Sequence, residues 1–163
     1  MAIKLIAMDV DGVLTDGAFW WGPNGEEWKR FHFADIMGLS RARKAGLKLA
    51  LISGEDSPLI DRLATKMQIG DVEKSCKDKA RALQNLAALH NLSLDEICFM
   101  GDDVNDLPAL EIAGLSAAPA DAQPAIRAKC QFVSSAKGGN GAVRELIEMI
   151  LSESCAHGIA NKG

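Results

Sequence analysis

The 163-residue sequence is short of several things, and each shortage removes a class of protein. Proline is scarce, at 5 residues, and the 15 glycines follow no repeat, so collagen-like and low-complexity chains are excluded. No apolar run approaches the roughly 20 residues that a membrane span needs. Positive charge is not in excess: 18 Lys and Arg face 22 Asp and Glu, a net charge of −4. A basic footprint for nucleic acid or an anionic membrane is missing, so neither is expected as a partner. The four cysteines, Cys76, Cys98, Cys130 and Cys155, are scattered and form no C-x-x-C pair. With three His and no ligand spacing, a structural zinc site is not expected, and the thiols read as reduced and packed. Residues 1–5 lead straight into a strand pattern without a signal peptide's layout, so a cytoplasmic protein is expected.

What is present suits one domain over residues 1–163, long enough to bury about two-thirds of its unfolded surface. Short apolar runs alternate with helical stretches. Strands are expected at 3–8, 47–52, 72–75, 97–101, 115–118 and 131–133. Helices are expected at 35–45, 57–67, 78–90, 106–113, 123–128 and 142–151. Ser57 with Pro58 behind it reads as a helix start. Val143, Leu146, Ile147, Ile150 and Leu151 form one stripe; residues 152–163 lose that period and are expected to fray. The alternation predicts an α/β, Rossmann-like three-layer fold: a parallel sheet with helices on both faces and a cleft at the strands' carboxyl ends.

Residues 16–33 break the alternation. Two strands, 18–21 and 27–33, are expected around the turn signal Gly22-Pro23-Asn24-Gly25, giving a β-hairpin insertion after the first strand. Among only five Phe and three Trp in the chain, Phe19, Trp20, Trp21, Trp28, Phe31 and Phe33 all fall here. They occupy odd and even positions, so both faces of the hairpin carry bulk. A two-stranded hairpin is marginal alone, and apolar area on such a projection marks an interface. Association with the hairpins of other subunits, a homo-oligomer, is therefore expected.

The chemistry gathers at strand ends. Asp9 and Asp11 follow the first strand, and Ser53-Gly54 follows the second. Lys79 opens a helix, and Asp102, Asp103 and Asp106 follow the strand at 97–101. If Asp9, Asp11 and Asp102 converge, repulsion at ~4 Å and an effective dielectric of ~20 is about 4 kcal/mol per pair. A divalent cation relieves it, and oxygen donors without thiols suit Mg²⁺. The hydroxyl and free backbone N–H groups at Ser53-Gly54 suit a phosphate. Each piece alone is a common turn or surface charge; their order and shared sheet edge give the signal.

The run Asp9-x-Asp11-Gly12-Val13-x-Thr15-Asp16-Gly17, then Ser53, Lys79 and Gly101-Asp102-Asp103-x-x-Asp106, resembles the haloacid dehalogenase superfamily of phosphotransferases over nearly the whole chain. Gly25-Glu26-Glu27, Phe31 to Asp35, Gly38 and Gly138-Gly139-x-Gly141-Ala142-Val143-Arg144-Glu145 resemble its small capless group, which includes 3-deoxy-manno-octulosonate 8-phosphate (KDO 8-phosphate) phosphatases. The resemblance implies Asp9 as nucleophile and Asp11 as general acid and base. It implies Mg²⁺ held by the Asp9 carboxylate, the Asp11 main-chain carbonyl and Asp102, with the phosphoryl group held by Ser53, Gly54 and Lys79. Asp103 or Asp106 would be an outer partner of the metal or of Lys79. It further implies a tetramer joined through the hairpins, with neighbours lining each site, and a phosphorylated 2-keto-3-deoxy sugar acid as substrate.

Two positions depart from the octulosonate pattern. Glu55 and Asn140 stand where those phosphatases commonly carry Arg. Glu55 together with Lys66 resembles phosphatases of nine-carbon acids, those acting on 2-keto-3-deoxynonulosonate (KDN) 9-phosphate and N-acylneuraminate 9-phosphate, and the reading leans that way. KDO 8-phosphate is the alternative. Arg144 is a candidate cation for the sugar carboxylate, and His32 a candidate to reach a neighbour's site. A receiver-type phosphate-accepting module would place its aspartate after a later strand, and a noncatalytic scaffold is opposed by the intact set of Asp9, Asp11, Ser53, Lys79 and Asp102.

Overall fold

The computed structural model describes residues 2–160, with side chains as far as Ser154. In chain order the elements are β1 (Leu5–Met8), β2 (Trp20–Trp21), β3 (Glu27–Trp28), α1 (Phe33–Lys44), β4 (Lys48–Ile52), α2 (Pro58–Met67) and β5 (Asp71–Glu73). Then follow α3 (Lys79–His90), β6 (Ile97–Met100), α4 (Leu107–Ile112), β7 (Leu115–Ala118), α5 (Pro124–Arg127), β8 (Phe132–Val133) and α6 (Ala142–Ala160). Single 3₁₀ turns, Leu94–Glu96 and Val104–Asp106, precede β6 and α4.

The main sheet has six strands in the order β5-β4-β1-β6-β7-β8, and every pairing is parallel. Strand β1 lies at its centre, with Leu5 opposite Lys48 on one side and Ile97 on the other. Parallel strands covered on both faces read as unbroken apolar runs, and β1 is buried at every residue. Successive side chains alternate between the faces. Ile6, Met8, Leu49, Leu51 and Met100 pack with Leu39 of α1, Ile60 and Leu63 of α2, and Leu146 and Ile147 of α6. Leu5, Ala7, Ala50, Ile52 and Phe99 pack with Leu83 of α3, Leu110 of α4 and Ile126 of α5. Each such large apolar side chain contributes roughly 1.5–3 kcal/mol of burial, before entropy is counted.

The chain lays β4 and β5 on one side of β1, then crosses to lay β6, β7 and β8 on the other. The order reverses at β1, so the loops after β1, β4 and β6 open a crevice at their carboxyl ends. Helix starts are fixed as the sequence implies: Ser57 Oγ accepts from Leu59 N (3.3 Å) ahead of Pro58, and Asp78 Oδ1 accepts from Arg81 N (3.0 Å) ahead of Lys79.

Strand β1 begins two residues later than expected, β5 is Asp71–Glu73 rather than 72–75, and three further boundaries differ in ways that bear on the site. The hairpin strands are two residues each, pairing Trp20 with Trp28 and Trp21 with Glu27. Phe33 belongs to α1, because His32 caps that helix, its Nδ1 accepting from Ala34 N at 3.2 Å. Helix α6 continues past Leu151 to Ala160: the apolar stripe ends, but Ser152 and Ser154 hydroxyls bond back to the carbonyls of Met149 (2.7 Å) and Ile150 (3.0 Å). The fraying expected over 152–163 is replaced by helix as far as Ala160; residues 161–163, and the Cys155 and His157 side chains, lie outside the described residues. No helix among the described residues is long and apolar enough to cross a membrane.

Candidate active site

Asp9 leaves β1 with its backbone still tied to β6, its N–H donating to Met100 O at 3.0 Å. Its buried carboxylate accepts from Val10 N (2.7 Å) and lies 3.0 Å from Lys79 Nζ. Lys79 is the first residue of α3, and the Asp78 cap fixes that start; its buried ammonium also reaches Asp106 at 2.6 Å. The other oxygen of Asp106 accepts from the N–H groups of Asp102 (2.8 Å) and Asp103 (3.3 Å). A Cβ on Gly101 would stand 2.4 Å from that of Asp106, so glycine is needed for this approach. Carboxylate oxygens of Asp9, Asp102 and Asp106 thus lie within 4.8 Å of one another.

The crowding has an electrostatic signature. Burial, then the Asp106 charge, pushes Asp9 up to about 7 against the pull of Lys79. Burial, then Asp106, Asp9 and Asp103, pushes Asp102 up to about 8. Burial works against the Lys79 ammonium, but Asp9 and Asp106 outweigh it and hold its pKa above the ordinary value. One lysine faces three carboxylates, and all the donors are hard oxygens. That donor set fits a divalent cation of the Mg²⁺ type.

Ser53 directly follows β4 and is buried; its hydroxyl accepts from Glu55 N at 3.1 Å. A cavity of about 230 Å³ joins this turn to the acidic groups, lined by Gly54, Glu55 and Asn105 and by Asp9, Asp11, Asp102 and Asp103. The first and last motifs close on each other beside it. Gly139 N donates to Val13 O (3.0 Å), and a Cβ on Gly138 would fall 1.8 Å from Gly12 O. Gly12 has φ +82°, and a Cβ there would meet an Asp102 carboxylate oxygen at 2.0 Å. The buried Asp35 of α1 holds the late loop, its oxygens accepting from Gly141 N (3.2 Å) and Arg144 N (3.0 Å) at the start of α6.

The structure separates several residues that the sequence had grouped. The Asp11 carboxylate is not one of the three that gather; both its oxygens lie 2.8 Å from Lys29 Nζ. Asp106 is the partner of Lys79, while Asp103 caps the 3₁₀ turn through Val104 N (2.7 Å). Glu55 lines the acidic cavity, but Lys66 lines a different one of about 390 Å³ with Phe31, Phe33, Leu59 and Arg62. Both are exposed, and among the described residues they form no ion pair with each other, because they face different cavities. Arg144 pairs with Glu148, one turn on, its Nε at 2.7 Å, and Glu148 shares that contact with Arg41. Asn140 accepts from Arg30 at 3.1 Å, with Arg30 also 3.3 Å from Asp16. His32 is occupied as the α1 cap. Lys29 was missed and Asp35 was given no role: Lys29 follows a strand of the hairpin rather than of the main sheet, and both meet partners distant in sequence.

A parallel sheet whose order reverses at a buried aspartate, with a lysine and further carboxylates brought in by later strands, defines the haloacid dehalogenase-like hydrolases; the chain belongs to that family, whose model matches residues 58–146. It is similar to the 3-deoxy-D-manno-octulosonate 8-phosphate phosphatase KdsC of Escherichia coli, with 34% identity over 149 residues, covering 91% of this chain and 79% of that protein. Among solved structures, it is similar to the corresponding phosphatase of Moraxella catarrhalis, in complex with magnesium ion, phosphate ion and KDO. That likeness has a TM-score of 0.91 at 36% identity and covers 99% of this chain and 94% of the other. The Yersinia pestis phosphatase gives 0.90 at 35%, covering 92% and 81%.

Proposed function

We propose that this chain hydrolyses the phosphomonoester of a 2-keto-3-deoxy sugar acid through an aspartyl-phosphate on Asp9. The chain is a sugar-acid phosphatase of the haloacid dehalogenase type, and its cofactor is Mg²⁺. The observation that carries the mechanism is the convergence of Asp9, Lys79, Asp102 and Asp106 at one sheet edge beside Ser53. Asp9 and Asp102, with the Asp11 main-chain carbonyl, would hold the ion, which supplies positive charge to the phosphoryl oxygens. Asp9 attacks phosphorus, the ester P–O bond breaks, and Asp11 gives its proton to the departing alkoxide. Water then attacks the same phosphorus while Asp11 takes its proton, returning free Asp9 and inorganic phosphate. Lys79, Ser53 and the Gly54 N–H hold the phosphoryl oxygens throughout.

Within the substrate class, the reading favours a nine-carbon acid, KDN 9-phosphate or N-acylneuraminate 9-phosphate. Its support is Glu55, an exposed carboxylate on the wall of the catalytic cavity where an octulosonate enzyme commonly offers a cation. A second reading, KDO 8-phosphate, is supported by the names of the similar phosphatases. Side-by-side kcat/KM values on the three esters decide between them. With Glu55→Arg the preference shifts toward KDO 8-phosphate if the first reading is right; an unchanged ratio removes it. The exposed Trp20, Trp21 and Trp28 support a homo-oligomer joined through the hairpin, with a tetramer as the form expected.

A further inference from the structure

Lys29 lies where the hairpin rejoins the body of the protein, between β3 and α1. Its side chain has no exposed surface. A buried ammonium is costly unless it is paired, so its partners define its role. Both oxygens of Asp11 lie 2.8 Å from its Nζ, Glu27 lies at 3.6 Å, and the Phe19 ring centre at 5.0 Å. The other side-chain contact on the Asp11 carboxylate is the Thr15 hydroxyl at 3.4 Å, close to the limit of a hydrogen bond. Glu27 in turn accepts from the indole N–H of Trp21 at 2.9 Å, and Trp21 is 75% exposed on the hairpin. A continuous polar path therefore runs from an exposed hairpin aromatic through Glu27 and Lys29 to Asp11.

We propose that Lys29 is a positioning residue for Asp11, and that through it the seating of the hairpin governs how well Asp11 protonates the leaving group. The proposal rests on the reading of Asp11 as general acid and base. When Asp11 carries its proton, Lys29 donates to the other oxygen and so aims the O–H at the leaving group; Lys29 itself makes no contact with the phosphoryl group in this role. The dependence on leaving group separates this role from a merely structural one. A sugar alkoxide must be protonated as it departs, whereas 4-nitrophenolate leaves without that help.

The test compares kcat/KM of the Mg²⁺-loaded enzyme on 4-nitrophenyl phosphate and on KDO 8-phosphate or KDN 9-phosphate, whichever turns over faster. General acid–base catalysis is worth about 10²–10⁴-fold, so Lys29→Met is expected to lose about ten- to a hundredfold on the sugar ester. Its loss on the aryl ester is expected to be several times smaller, and Lys29→Arg is expected to recover part of the sugar-ester rate. Equal losses on the two esters, or a rise in KM with kcat unchanged, overturn the proposal. If Lys29→Met does not fold, Lys29→Arg carries the test: a loss selective for the sugar ester supports it, and an equal loss overturns it. Asp11→Asn separates the two readings. If Asp11→Asn discriminates between the esters and the Lys29 variants do not, only the positioning role falls. If Asp11→Asn itself loses equally on both, the acid assignment falls and the proposal with it.

Discussion

Asp9 and Asp102 share one physical problem, which is too little positive charge around buried carboxylates. From an ordinary value of 3.8 they rise to about 7 and about 8. Between pH 4 and 8 the folded, metal-free protein therefore holds protons that the unfolded chain has released. Their contribution to stability is fully present below pH 4 and is lost as pH rises through 7 and 8. A bound dication replaces those protons. The melting temperature of the EDTA-treated protein is expected to fall from pH 6 to pH 8, and the rise on adding Mg²⁺ to be larger at pH 8; scanning calorimetry at the two pH values checks both. Asp9→Asn is expected to abolish turnover of any phosphate ester, measured as phosphate release. Most of this set was legible in the sequence because each member stands where an apolar run visibly stops. Lys29 was not: its partner lies 18 positions back across a turn, and a lysine among aromatics carries no periodic mark. The division of labour between Asp103 and Asp106 also needed coordinates, since both occupy the same short turn and only geometry shows which one meets Lys79.

Among the elements, α6 is held at its start by a carboxylate from α1 rather than by its own preceding residue. Asp35→Ala is expected to cost about 1 kcal/mol or more, since caps are worth 0.5–2 and the orphaned N–H groups are half-buried. A denaturant midpoint lowered with the slope unchanged is the expected readout. Asn at the same position is expected to recover part of the loss. Gly138→Ala is expected to do more harm to activity than to stability, because its Cβ would press on the Gly12 carbonyl within the Asp9 loop; kcat and the midpoint measured together check this. Helix α2 was readable to within a residue because Ser57 and Pro58 are local signals. The trans cap on α6 was unreadable for the opposite reason, its two halves being more than a hundred residues apart. The hairpin strands came out shorter than their aromatic pattern suggested, since His32 turns the chain into α1 just behind them.

For the whole molecule, the sheet's parallel character followed from alternation, but its order did not, because neighbours in the sheet are chosen by packing rather than by sequence. That order is what sets the reversal at β1, and with it the position of the cavity. The hairpin is the largest departure from a self-contained surface: Trp20 is 61% exposed and Trp28 59%. Replacing both with Ser is expected to lower the mass seen by light scattering, and an unchanged mass would refute an interface there. Far-ultraviolet circular dichroism of the same variant is expected to be unaltered, as the hairpin contributes nothing to the two buried clusters beyond Phe31.

The seating of Gly138 on Gly12 has a bearing on biosynthesis. The residues that complete the nucleophile's loop are translated more than a hundred positions after it, and β1 waits at the centre of the sheet for β4 and then β6. A chain still emerging from the ribosome therefore carries its reactive aspartate on an unfinished loop. Competence is expected only once the Gly138 loop seats on Gly12, so chains cut before Gly138 are expected to be inert toward phosphate esters, which a phosphate-release assay on such a truncation checks.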